Sequence, residues 1–260
     1  MSFMKFDGRE VYYETHGQGD TVILLHHGFG SSKMWKEIYP ALVDNGYRAV
    51  MYDRRGFGLS EAGSDFADFF ASDQYRPYSV EELAALVTQL GLDDFHLVCQ
   101  CEAGVIGVDY AAQYPEQVKT LSISSTLCYS EKRMEELVPL MFPPTFAELD
   151  DGFRSKMIYW HGAEKAEAFY ENGMEKGGGA YGVGVHDLRP ALPGVQCPAL
   201  VLFPDRSGLF AVEQGVMHYR HLPAGELVVL PRCGHHTYEQ MPEEYCRQVL
   251  GFFDRYYTGL

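Results

Sequence analysis

Residues able to do chemistry gather in four short stretches, each just after an apolar, strand-like run: HHGFG (26–30), DRRGFGLS (53–60), CQCEAG (99–104) and CGHH (233–236). The third is the most informative. In HLVCQCEAGVIGVDYAAQYP (96–115) a strand-like run enters a tight turn and leaves as a helix, with Cys101 at the turn. A thiol there is either a nucleophile or a small apolar residue filling a sharp corner. Cys99 and Cys101 form a C-x-C that lacks the second pair and the spacing of a zinc site, so no metal is expected. Six cysteines in 260 residues, without a leader-like N-terminus, do not read as a disulfide framework.

The elements that must position these residues alternate. MKF and EVYYETH flank Asp7-Gly8, a hairpin signal. TVILLHH, YRAVMYD, FHLVC, VKTLSIS, PALVLF and ELVVL read as strands, several buried on both faces. Helical spacing runs over 32–45, 103–114 and EEYCRQVLGFFDRYY, and SVEELAALVTQLGL reads as a helix capped at Ser79, with Glu82 three positions on and a stop at Gly91. This order implies an α/β fold with a mostly parallel sheet and helices on both faces. Between 126 and 190 the alternation stops. Weak helical patterns (131–141, 146–161, 165–175) and glycines at 177–179, 182 and 184 read as an inserted helical lid with a flexible return. The expected organisation is a core of 1–125 and 191–260 with a lid over 126–190.

A net charge of −15 argues against nucleic acid and against an anionic membrane surface. No apolar run approaches the length of a membrane span, and the first residues carry no apolar signal segment, so a cytoplasmic protein is expected.

Taken together, the four strand-end stretches, the strand–helix order and the lid resemble the α/β-hydrolase family over almost the whole length outside the lid. The resemblance implies roles. Cys99-Gln100-Cys101-Glu102-Ala103 matches the small-x-nucleophile-x-small elbow, with Cys101 as nucleophile and Gly104 following. The helix start after it, and a histidine in reach, are expected to lower the thiol pKa. Gly234-His235 after the last strand matches the histidine, with His236 as competitor. The oxyanion hole falls on the backbone N–H groups of Glu102 and Phe29. The family's acid position falls on Ser207, and Asp205 on a usually structural aspartate. The carboxylate is therefore missing where it is expected, and Asp205 is the alternative acid two residues away. Loss of the acid and exchange of serine for cysteine are chemically consistent, because a thiol is far more acidic than a hydroxyl.

The implied function is hydrolysis of a carboxylic ester, thioester or lactone through an acyl-cysteine, without a cofactor. Dienelactone hydrolases are a family precedent for cysteine in this elbow, although they lack such a lid. The alternatives are an acyltransferase or cyclase using the same acyl-cysteine, a lyase or isomerase using His235 alone, or a non-catalytic ligand-binding protein on this scaffold. Lid aromatics Phe142, Phe146, Phe153, Tyr159, Trp160, Phe169 and Tyr170 imply a small-molecule acyl substrate of apolar or aromatic character, with Trp160, Phe146 and Tyr159 assigned to its binding.

Overall fold

The computed structural model describes residues 2–257. Strands β1 (Ser2–Phe6) and β2 (Arg9–His16) form the expected hairpin, with Asp7 and Gly8 at φ 49° and 75°. Next come β3 (Thr21–Leu25), β4 (Arg48–Tyr52), β5 (Phe95–Gln100) and β6 (Val118–Ser124). The short pair β7 (Tyr129–Arg133) and β8 (Val185–Asp187) follows, then β9 (Ala199–Pro204) and β10 (Gly225–Leu230). The main sheet has the order β1-β2-β4-β3-β5-β6-β9-β10, and its pairs from β4 to β10 are all parallel. Their carboxyl ends therefore share one edge, and all four stretches of interest lie there.

The helices in chain order are α1 (Tyr39–Asp44), α2 (Phe66–Phe70), α3 (Tyr75–Leu90), α4 (Ala103–Gln113), α5 (Met134–Met141), α6 (Asp151–His161), α7 (Ala163–Lys176), α8 (Glu213–His221), α9 (Thr237–Gln240) and α10 (Pro242–Tyr256). The strand period of two divides the apolar residues between two cores. Ile23 and Leu25 join α3 and α4 on one face, while Val22 and Leu24 join Trp35 and the α10 residues Tyr245, Val249, Phe252 and Phe253 on the other. Among the described residues no helix is long and apolar enough to cross a membrane.

Two local readings are corrected. The stretch 32–45 splits into a 3-10 turn (Ser32–Glu37) and α1, with Pro40 in its first turn, where a missing N–H costs nothing. Helix α3 begins a turn before Ser79. Ser79 is inside it, donating to Tyr75 O at 2.8 Å, and buried Glu82 accepts from Arg55 N at 3.0 Å rather than closing a capping box. Gly91 ends the helix at φ 62° as expected.

The chain between β6 and β9 leaves the sheet through the antiparallel β7–β8 pair, which frames α5, α6 and α7. This cap also rests on the core segment that follows β4. Phe169 of α7 packs 4.9 Å from Phe57 and 6.2 Å from Phe66, measured between ring centres. His161, at the end of α6, accepts from Gly58 N (3.1 Å) and donates to Phe29 O (2.8 Å), tying the cap to two of the strand-end loops.

Candidate active site

Cys101 occupies the turn between β5 and α4 with φ 55°, a conformation that costs a non-glycine residue about 1–2 kcal/mol. Its surroundings enforce this. Its N–H donates to Ser124 O at 2.7 Å, and its carbonyl accepts from Gly104 N and Thr126 Oγ1, both at 2.9 Å. A side chain at Gly104 would strike Thr126, and one at Gly107 would strike the Cys99 thiol, so small residues are required on both sides of the elbow. Five of the six cysteines are buried, and Cys101 alone is partly exposed.

Among the described residues the hydrogen-bond partner of the sulfur is Tyr181 Oη, at 3.6 Å. That phenol also accepts from Leu127 N at 3.1 Å. Tyr181 lies in the stretch read as a flexible return. Two of the glycines there serve close packing: Gly178 abuts the Phe70 carbonyl, Gly179 abuts the Glu102 carboxylate, and Ala180 N donates to Glu102 Oε1 at 2.9 Å. A lone tyrosine inside a run of glycines was the available signal. Burial first, and then the Glu102 charge, push the Cys101 thiol up to about 12 against the help of Tyr181 and the Glu102 N–H. The expected acidification by the helix start is overridden.

His235 lines the same cavity. Its carbonyl is held by Gln100 Nε2 (3.0 Å) and Ser125 Oγ (2.8 Å), so residues beside the elbow fix the histidine loop. Ser207 Oγ lies 3.2 Å from His235 Nδ1 and accepts from Leu209 N (3.2 Å) and Phe210 N (3.1 Å). Asp205 does not reach the ring. Its carboxylate accepts from Cys233 N at 3.1 Å and faces Arg206, holding the turn before the histidine. Burial, reinforced by His236, pushes the His235 pKa down to about 3. His236 stacks on His27 at 5.1 Å and sits 3.7 Å from Glu239.

Behind the elbow, buried Arg54 pairs with Glu102 Oε1 at 3.2 Å and donates to the carbonyls of His26 (3.1 Å) and His27 (3.3 Å). The Phe29 N–H, assigned to the oxyanion hole, is occupied: it donates to His27 Nδ1 at 3.2 Å, while His27 Nε2 meets Tyr238 Oη at 3.2 Å.

A cavity of about 560 Å³ opens above Cys101, walled by Phe29, Phe70, Phe142, Phe153, Phe169 and Phe210 among others. The three residues assigned to substrate binding do not line it. Trp160 is buried between His27 and Phe153, Phe146 packs under Tyr170, and Tyr159 lies outside beneath Lys33 and Lys36. Helix α6 turns Phe153 inward and Tyr159 outward, and spacing alone does not reveal that choice.

Known proteins share this framework. A family model described as alpha/beta hydrolase fold matches residues 20–176, more than half of the chain. The chain belongs to that family. It is 33% identical to a proline iminopeptidase of Clostridioides difficile (strain 630) over 130 residues, 48% of this chain and 43% of that protein. The chain spans less than half the length of the curated relatives it matches. Among solved structures, the enol-lactonase from Burkholderia xenovorans LB400 superposes with a TM-score of 0.74 at 18% identity, covering 97% of this chain and 99% of that one. MGS-M2, an alpha/beta hydrolase enzyme from a Medee basin deep-sea metagenome library, reaches 0.79 at 19% identity, covering 100% and 98%.

Proposed function

We propose that this protein hydrolyses a carboxylic ester, thioester or lactone of an apolar acid, with Cys101 as the nucleophile. The observation that carries the reading is a thiol held in a left-handed elbow at the floor of an apolar cavity that also takes the His235 ring. The acyl group lies against the phenylalanine walls. Because the thiol is raised to about 12 and the imidazole lowered to about 3, both are neutral at rest. The proton therefore moves as the C–S bond forms and not before. With the ring hydrogen on Nδ1, Sγ attacks the carbonyl carbon, the thiol proton passes to the bare His235 Nε2, and the oxyanion takes the Glu102 N–H and the Tyr181 O–H. His235 then protonates the leaving group, and water, activated at the same nitrogen, releases the acid from the thioester.

Capture of the acyl-cysteine by an amine or alcohol is a variant of the same chemistry. A non-catalytic binder is the second reading, favoured by the neutral thiol and its bond to Tyr181. Initial rates on p-nitrophenyl esters and acyl thioesters of graded chain length separate the readings. Activity is expected in the wild type and lost in Cys101→Ala and His235→Ala. Turnover surviving in Cys101→Ala would sink the nucleophile, and no turnover of any of these in the wild type would favour the binder.

A further inference from the structure

Ser207 decides which nitrogen of His235 carries the hydrogen. A hydroxyl has one hydrogen to donate and two lone pairs to fill. Both lone pairs of Ser207 Oγ are taken, by Leu209 N–H at 3.2 Å and Phe210 N–H at 3.1 Å. Its remaining neighbour is His235 Nδ1 at 3.2 Å, so the hydroxyl hydrogen goes there. Nδ1 is then an acceptor, and the neutral ring carries its hydrogen on Nε2, which has no hydrogen-bond partner among the described residues. An aspartate at this position would do the opposite, accepting from Nδ1–H and baring Nε2. At Tyr181 the oxygen takes the Leu127 N–H at 3.1 Å and stands 3.6 Å from Cys101 Sγ, where either the phenol or the thiol can donate. Glu102, the residue after Cys101, is the N-cap of α4, where a backbone N–H has no partner within the helix.

We infer that the resting cavity floor is a set of donors, His235 Nε2–H, Tyr181 Oη–H and Glu102 N–H, that binds the carboxylate of an apolar acid. A carboxylate only accepts and offers about four lone-pair sites over two oxygens, enough for all three donors. Bonds to an ionised acceptor are roughly twice as strong as neutral ones. An amide or alcohol brings a hydrogen that neither His235 Nε2–H nor the Glu102 N–H can accept, and leaving it unpaired away from water costs about 1–3 kcal/mol. Three carboxylates line the cavity: Glu102 is compensated by Arg54 and by the Ala180 N–H, Asp150 accepts from Phe153 N, and Glu148 shares the wall with the Lys156 cation. The phenylalanine walls take the acyl or aryl body. The inference rests on the cavity proposed above as the substrate site, but not on an acyl-cysteine. If ester hydrolysis does occur there, the released acid is the ligand, and each turnover needs the ring hydrogen moved from Nε2 to Nδ1.

The test uses protein labelled with 15N-histidine, whose long-range ring correlations report the tautomer of His235. Calorimetry then compares octanoate and 4-phenylbutyrate with octanamide and 4-phenylbutyramide. The expected result is an Nε2–H ring in the wild type, with each carboxylate binding about tenfold or more tightly than its amide. Ser207→Asp should move the hydrogen to Nδ1 and weaken the carboxylates by about tenfold or more, leaving the amides the better ligands. An Nδ1–H ring in the wild type, or equal affinity for acid and amide, overturns the inference. The wild-type measurements decide it even if Ser207→Asp does not fold. Absence of an acyl-cysteine would remove the proposed hydrolysis while leaving these two readouts untouched.

Discussion

Tyr181→Phe removes a single oxygen that does two things at once. It accepts the Leu127 N–H at 3.1 Å and faces Cys101 Sγ at 3.6 Å. The first contact is structural. Without it a backbone N–H in a partly buried turn loses its acceptor, a cost of about 1–3 kcal/mol. For a domain of this size that lowers Tm by roughly 2–4 °C per kcal/mol. The second contact belongs to the chemistry. A donor aimed at a developing oxyanion away from water is worth about 10²–10³-fold in kcat. The assay is steady-state hydrolysis of a p-nitrophenyl ester at a temperature well below the variant's transition, with thermal unfolding followed separately. The expected result is kcat lower by about a hundredfold, KM changed far less, and Tm lower by several degrees. A variant that loses Tm but keeps kcat within about threefold would refute a role for the phenol in the reaction and leave it a turn-holding residue.

Further outcomes follow from the same geometry. Because burial raises the Cys101 thiol to about 12, its alkylation by iodoacetamide should climb about tenfold per pH unit from about pH 7 to about pH 10 without a plateau, as peptide mapping would show; a plateau near neutrality would mean a preformed thiolate–imidazolium pair. Trp160→Ala should cost about 3–5 kcal/mol in urea unfolding with little change in acyl-chain preference, whereas Phe153→Ala or Phe142→Ala, which enlarge the cavity, should shift that preference toward longer chains. Asp205→Asn should leave kcat within a few fold, since its carboxylate serves Cys233 N and not the ring; a loss of about a hundredfold or more would restore it as the working acid.

What the sequence made legible was what local geometry decides. Buried parallel strands read as apolar runs, so the sheet and the edge carrying its four loops could be placed. The elbow was visible because a side chain held at positive φ between a strand and a helix needs small neighbours, here Cys99, Ala103 and Gly104. What stayed hidden depends on partners far along the chain. Glu82 sits three residues after Ser79 as a capping box would require, but its carboxylate is claimed by Arg55 N. In the cap, α6 and α7 both carry aromatics, and only their docking decides that Phe153 and Phe169 face the cavity while Trp160 fills the seam against His27. Tyr181 was hidden among glycines whose freedom suggested a loose tether, yet they permit close contact with Phe70 and Glu102. The thiol is pushed up because a helix dipole is a small effect, commonly 0.3–1 kcal/mol, beside the desolvation of a sulfur at the cavity floor.

The most direct measurement is a mass map of the protein stopped during turnover. Enzyme mixed with a p-nitrophenyl ester is quenched in acid within the first turnovers, digested, and analysed for an added acyl mass. The expected result is that mass on the peptide carrying Cys101, absent from the other five cysteines and absent in Cys101→Ala. Steady hydrolysis with no acyl mass at Cys101, or with the acyl group on another side chain, would contradict the central claim.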